Sequence, residues 1–114
     1  MDINNATDSS RKILRPNIFV YFGITVLFYS NEHEPVHVHG KYQGRESKAE
    51  FMIDNGKVIN IIIKSVKGRQ PLMAKNLKDF ETFVNAYSSI TVQKWIDYFM
   101  LHKEVACENI DRRV

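Results

Sequence analysis

The feature that most constrains this chain is a single change of hydrophobic period near Pro71. Before it, apolar and polar residues alternate in short runs. After it, apolar residues recur every three or four positions. Period two describes a strand with one buried face, and period 3.6 a helix with one buried stripe. One such change, part-way along, predicts a sheet followed by helices, the α+β arrangement.

The β part is expected from Pro16 to Val66. Ile18–Phe22 and Ile24–Ser30 are rich in β-branched and aromatic residues, with Gly23 as a bulge or bend between them. A polar loop, Asn31–Pro35, leads to alternating runs at Val36–Tyr42 and Ser47–Asp54. Asn55-Gly56 is a strong hairpin signal, and Lys57–Ile63 follows it. The expectation is an antiparallel β-meander of four to five strands followed by two C-terminal helices packed on one face. In the first helix Met73, Leu77, Phe80, Val84 and Tyr87 share a face, with Asn76 as cap and Asp79 in the first turn. Ser88-Ser89 interrupts, and Thr91 is expected to cap a second helix with the stripe Val92, Trp95, Ile96, Phe99 and Met100. Val105–Ile110 either frays or adds a short edge strand. Residues 1–15 read as a flexible leader and 16–114 as one domain.

Composition narrows the function classes. The 114 residues include 16 Lys+Arg and 13 Asp+Glu, for a net charge of +3, with 44% hydrophobic and 25% charged residues. These values are globular and exclude a disordered, collagen-like or coiled-coil chain. No apolar run reaches the roughly 18 residues of a membrane helix. The polar start lacks the apolar core of a signal peptide, so a cytoplasmic protein is expected. One cysteine, Cys107, excludes an intramolecular disulfide and a four-cysteine zinc site. No phosphate-binding glycine loop, G-x-S-x-G or H-E-x-x-H motif occurs. The basic excess lies between Asn55 and Lys78, which hold lysines and an arginine but no acid. Within it Lys64, Lys67 and Arg69 are candidate phosphate contacts for nucleic acid, or a docking strip for an acidic partner.

Three of the four histidines fall in Asn31–Lys41, at His33, His37 and His39. If Gln43-Gly44 is a two-residue turn, Tyr42 pairs with Arg45, His39 with Lys48, Val38 with Ala49 and His37 with Glu50. Val36, Val38, Ala49 and Phe51 then share one face, and His37, His39, Lys41, Lys48 and Glu50 the other. Counting on from Asn55-Gly56 places Ile59, Ile61 and Ile63 on the histidine face as well, so that face is expected to be a cleft or an interface.

Three chemistries fit these residues. His37 and His39 can serve as acid and base in metal-independent, ribonuclease-like catalysis, with His33 and Lys41 stabilising charge and no cofactor. Alternatively, His37 and His39, at i and i+2 on a strand, can hold a divalent transition metal such as zinc, with His33 or Glu32 as third ligand. Thirdly, the histidines can pair with Glu50 and backbone groups in packing or at an interface.

The residues Phe28-Tyr29, Glu32-His33, Pro35, His37-Val38-His39 and Tyr42 resemble the signature of a bacterial domain of unknown function called DUF4160. The resemblance continues through Asp54-Asn55-Gly56 and more weakly into Trp95–Phe99, covering roughly residues 16–110. Glu34, Val36 and the longer Lys64–Met73 connection depart from it and leave the histidines intact. It implies a small stand-alone protein of toxin–antitoxin type, with the histidine segment as its working part. The partners expected on this reading are RNA, a cognate antitoxin or toxin protein, or a second copy in a homodimer, with no membrane. The function expected is action on or binding of RNA through the histidine face, and the alternatives are a protein-binding, dimerising module or a metal-binding protein.

Overall fold

The computed structural model describes residues 13–32 and 35–114; the expected leader therefore lies almost wholly outside the described residues, as does His33. The fold is α+β: β1 (Asn17–Tyr21), β2 (Ile24–Leu27), β3 (His37–Tyr42), β4 (Arg45–Asp54), β5 (Lys57–Ser65), α1 (Ala74–Ala86), α2 (Ser88–Phe99) and β6 (Glu108–Ile110). The strands form one six-stranded sheet in the order β5-β4-β3-β2-β1-β6. The first five are the antiparallel meander. The C-terminal segment adds the sixth, parallel to β1, with Phe19 beside Glu108.

Turn chemistry sets the registers. Gln43-Gly44 closes β3 on β4 with both residues at positive φ, and the pairs Tyr42–Arg45, His39–Lys48, Val38–Ala49 and His37–Glu50 are those expected. Phe22-Gly23, also at positive φ, makes the same kind of two-residue turn between β1 and β2, so Gly23 is a hairpin residue rather than a bulge.

The expected register of β5 is wrong by one residue. A bulge between Met52 and Ile53 shifts the ladder, so Ile61 pairs with Phe51 and Ile63 with Ala49. Since side chains alternate with period two, that slip exchanges the faces. Ile61 and Ile63 join the core, and Ile62 and Lys64 take the histidine face. The bulge resolves the conflict that counting from the turn produces.

The helices cover one face of the sheet. Phe19, Tyr21, Ile24, Val26, Phe28, Val38, Ala49 and Phe51 pack with Phe80, Phe83 and Val84 of α1 and Trp95 of α2. Phe83 is stacked between Tyr21 and Tyr87, at centroid distances of 4.7 and 4.6 Å, and meets Phe19 edge-on at 5.1 Å. Gly40 lets α1 come this close: a Cβ there would lie 2.6 Å from Phe80 Cε1. The helix boundaries differ from expectation. Helix α1 begins at Ala74 with no side-chain cap, so Asn76 is inside it. Helix α2 begins at Ser88, and Thr91, expected as its cap, is a fully buried helix residue. Met73 and Met100 lie outside the buried stripes, exposed.

After β5 the chain runs on beside the start of β4. Gln70 O accepts from Glu46 N–H (2.9 Å), Pro71 O from Arg45, and Ser47 Oγ from Leu72 N–H. This connection carries Arg69 to the face opposite the helices. Among the described residues no helix is long and apolar enough to cross a membrane.

Candidate metal centre

Alternation along β3 turns His37 and His39 away from the helices, as the pairing predicts. They are nevertheless buried, at 4% and 2% exposure. Their cover is the β2–β3 connection. Backbone bonds from Phe28 to Pro16 and from Ser30 to Leu14 anchor it, and a turn from Glu32 N–H to Tyr29 O folds it back. The Tyr29 ring then meets His39 edge-on at 4.5 Å, and the Glu32 carboxylate lies over both imidazoles.

Glu32 Oε1 is 2.8 Å from His39 Nε2 and 3.1 Å from His37 Nε2. Behind the rings, His37 Nδ1 is 2.6 Å from Pro35 O, and His39 Nδ1 is 2.8 Å from Glu46 Oε2. The first of these is a hydrogen bond. The second is a charge contact that falls short of hydrogen-bond alignment. Glu46 is itself 1% exposed. Its Oε2 accepts from the Tyr29 hydroxyl at 2.9 Å, and Arg69 Nε approaches its Oε1 at 3.5 Å. Arg15 lies over the outer face of this group, 5.7 Å from the Tyr29 ring centre.

Proton counting shows what the arrangement lacks. A carbonyl oxygen only accepts, so His37 must carry its proton on Nδ1, and neutral His37 aims a lone pair at Glu32. Neutral His39 has one proton for two carboxylates, so one nitrogen faces a carboxylate oxygen bare in either tautomer. With both imidazoles neutral, the cluster is short of positive charge at its centre. Among the described residues, Glu32, His37 and His39 each place one ligand atom within 4.8 Å of the others. Bonds of about 2.0–2.1 Å to a tetrahedral ion separate its ligands by about 3.3 Å, so, to admit one, Glu32 Oε1 would draw back a few tenths of an ångström from each imidazole and the two imidazole nitrogens would settle at that same spacing. Glu46 and Pro35 would supply the outer hydrogen bonds that orient imidazole ligands.

The acid–base properties follow from the same contacts. Burial pulls the His39 pKa below its ordinary value, against the opposing hydrogen bond and charge of Glu32. Burial pushes Glu32 up, but the hydrogen bonds and charges that His39 and His37 offer in their protonated forms outweigh it and the net shift is down. Burial and the hydrogen bond to Glu46 raise the Tyr29 phenol to about 12.

The expected site residues separate. His37 and His39 are brought together, whereas His33 is outside the described residues. Lys41 stands on the same face, paired with Glu46 across the ladder. Lys64 lies on this face bonded to Glu50 at 2.9 Å, and Arg69 reaches Glu46. Lys67 is exposed in the turn with Gly68. The expected pairing of the histidines with Glu50 is replaced by bonding to Glu32, although Glu50 remains beside His37 in the ladder. Sequence reasoning misses Glu46. The signal for it exists, because the count that puts Lys48 and Glu50 on the histidine face puts Glu46 there too.

No curated protein and no solved structure is matched by this chain. Residues 23–96, from the β1–β2 turn to the last turns of α2, match the family described as Domain of unknown function (DUF4160), and the chain belongs to that family.

Proposed function

We propose that this protein binds one divalent transition-metal ion, zinc being the type case, on Glu32, His37 and His39, and uses it to hydrolyse RNA. The observation that supports the reading is the convergence of two imidazole nitrogens and a carboxylate oxygen within 4.8 Å, with an oxygen acceptor behind each ring. Three protein ligands leave a coordination position open, the pattern of catalytic rather than structural zinc sites. An ion there would supply a Lewis acid and a water of lowered pKa. The surrounding cations Arg15, Lys41, Lys64 and Arg69 suit a phosphodiester. The toxin–antitoxin role implied by the family likeness accompanies this reading, with growth arrest on expression as its cellular consequence.

The metal-independent version, with His37 and His39 as acid and base, is less well served. In-line displacement at phosphorus needs the two groups on opposite sides of the scissile phosphate. Here both Nε2 atoms point at one carboxylate oxygen, from rings 5.2 Å apart.

The test is cobalt and zinc titration of protein purified without a histidine tag. One equivalent is expected to bind with a tetrahedral cobalt spectrum, lost in His37→Ala/His39→Ala. RNA cleavage should stop with a chelator and return with metal. Protons compete for the ligands. Because the His39 pKa is below its ordinary value, its nitrogen stays free to lower pH than that of a typical histidine, near 6.5. Affinity should therefore hold through neutrality and fall only in acid. A protein that takes up neither ion above pH 7 overturns the proposal.

A further inference from the structure

On the histidine face, Lys48, Lys64 and Glu50 lie outside the metal centre and form a group of their own. The ladder sets His39 opposite Lys48 and Lys48 opposite Lys64, one row across β3, β4 and β5. Strands lie about 4.8 Å apart, so the row steps outward from a metal ligand to the sheet edge at that interval. Glu50 occupies the next row, between His37 and Ile62. Its side chain is only 13% exposed and reaches back to Lys64 Nζ at 2.9 Å and Lys48 Nζ at 3.7 Å. One carboxylate thus serves two ammonium groups and leaves the trio with a net positive charge. Glu50 thus occupies, on the protein itself, the place an anionic group would take between Lys48 and Lys64. Lys64 itself is 51% exposed and free to exchange partners.

We propose that this row is a phosphate track: a single-stranded phosphodiester chain crosses the sheet from the metal centre towards β5, with successive phosphates replacing Glu50 as partners of Lys48 and Lys64. Glu50 is then an internal competitor. It keeps the lysines ordered in the free protein and sets an electrostatic threshold that a single small anion, engaging one lysine, meets less well than a polyanion engaging both. The inference rests on the RNA reading of the centre for where the reacting phosphate sits. The lysine row itself is a matter of register and ion pairing.

Fluorescence anisotropy tests it, with zinc-loaded protein and labelled single-stranded RNA and DNA of one sequence. Glu50→Gln is expected to tighten binding several-fold, a gain that damage to the fold would not produce. Lys48→Met/Lys64→Met is expected to weaken it about tenfold and to reduce the slope of log K against log salt by about 1.4, or 0.7 for each phosphate that no longer meets a lysine. The cobalt spectrum should be unchanged in both. Equal binding of RNA and DNA supports a track that reads phosphate alone, and preference for RNA supports one that also senses the 2′-hydroxyl. A normal cobalt spectrum with unchanged affinity in both variants overturns the track and spares the metal centre. A missing cobalt spectrum with lysine-dependent binding overturns the metal reading and spares the track. No binding of either strand overturns the track.

Discussion

The two faces of the sheet bury side chains for different reasons. On the helix face, Val38, Ala49 and Phe51 disappear under Phe80, Phe83 and Trp95, and each large side chain so covered contributes about 1.5–3 kcal/mol. On the other face His37, His39 and Glu46 are just as hidden, under Tyr29, Glu32 and Arg69. Burying ionisable groups costs stability unless each is paired and hydrogen-bonded, and well-packed apolar residues of similar size commonly do as well or better. One face therefore accounts for why the chain folds. The other holds groups whose burial costs stability, a cost that the proposed metal binding would account for.

That contrast can be broken by substitution. The largest effect is expected from Phe80→Ala, which empties the space against Gly40 and costs about 3–5 kcal/mol by denaturant unfolding. Below the unfolding midpoint, metal affinity should be unchanged. If affinity falls with stability in the folded range, the two faces are not separable.

Glu46→Gln should do the reverse. It removes a buried charge and leaves a neutral amide beside Tyr29 and His39. Thermal stability without metal is expected to be unchanged or higher, while metal affinity falls about 10- to 100-fold. A Glu46→Gln protein with lower apo stability and wild-type metal affinity would make Glu46 a packing residue.

The smallest effect sharpens the comparison. Tyr29→Phe should cost about 0.5–1.5 kcal/mol, the usual net value of one hydrogen bond. In a spectrophotometric titration of the 5 tyrosines, one phenol should ionise near 12, and Tyr29→Phe should remove it. Its folded pKa is raised above the ordinary 10. Its contribution to stability is therefore complete below pH 10 and lost as the pH rises from 10 to 12.

Legibility in the sequence follows the range of the forces involved. The α+β class, the β3–β4 register and the shared face of His37 and His39 come from local signals: a change of period, a Gln43-Gly44 turn and strict alternation. The β5 register fails because a bulge has no sequence mark as clear as Asn55-Gly56. Thr91 and Asn76 have good capping chemistry, yet the helices begin at Ser88 and Ala74 with no side-chain cap, and Thr91 is spent on the core instead. In the site, Glu46 obeys the same alternation as its neighbours. The position of Glu32, by contrast, depends on a loop folding back over the sheet, which no periodicity encodes.

The bulge at Met52/Ile53 also decides what the β4–β5 hairpin tolerates. Between the Asn55-Gly56 tip and the lysine row it acts as a phase shifter, resetting which residues point up and which down. Lengthening the tip beyond it adds only loop-closure entropy, about 0.6 kcal/mol for each doubling of loop length. Closing the bulge with every residue kept would set Ile61 opposite Glu50, turn Ile61 and Ile63 out to water and carry Lys64 round to the aromatic side; deleting the bulged Ile59 would instead leave Ile61 opposite Phe51. For this hairpin the harmful change is therefore a one-residue deletion on the sheet side of the bulge, between Asn60 and Lys64, and a longer tip or the loss of Ile59 is milder, because parity, not length, is what the fold reads there.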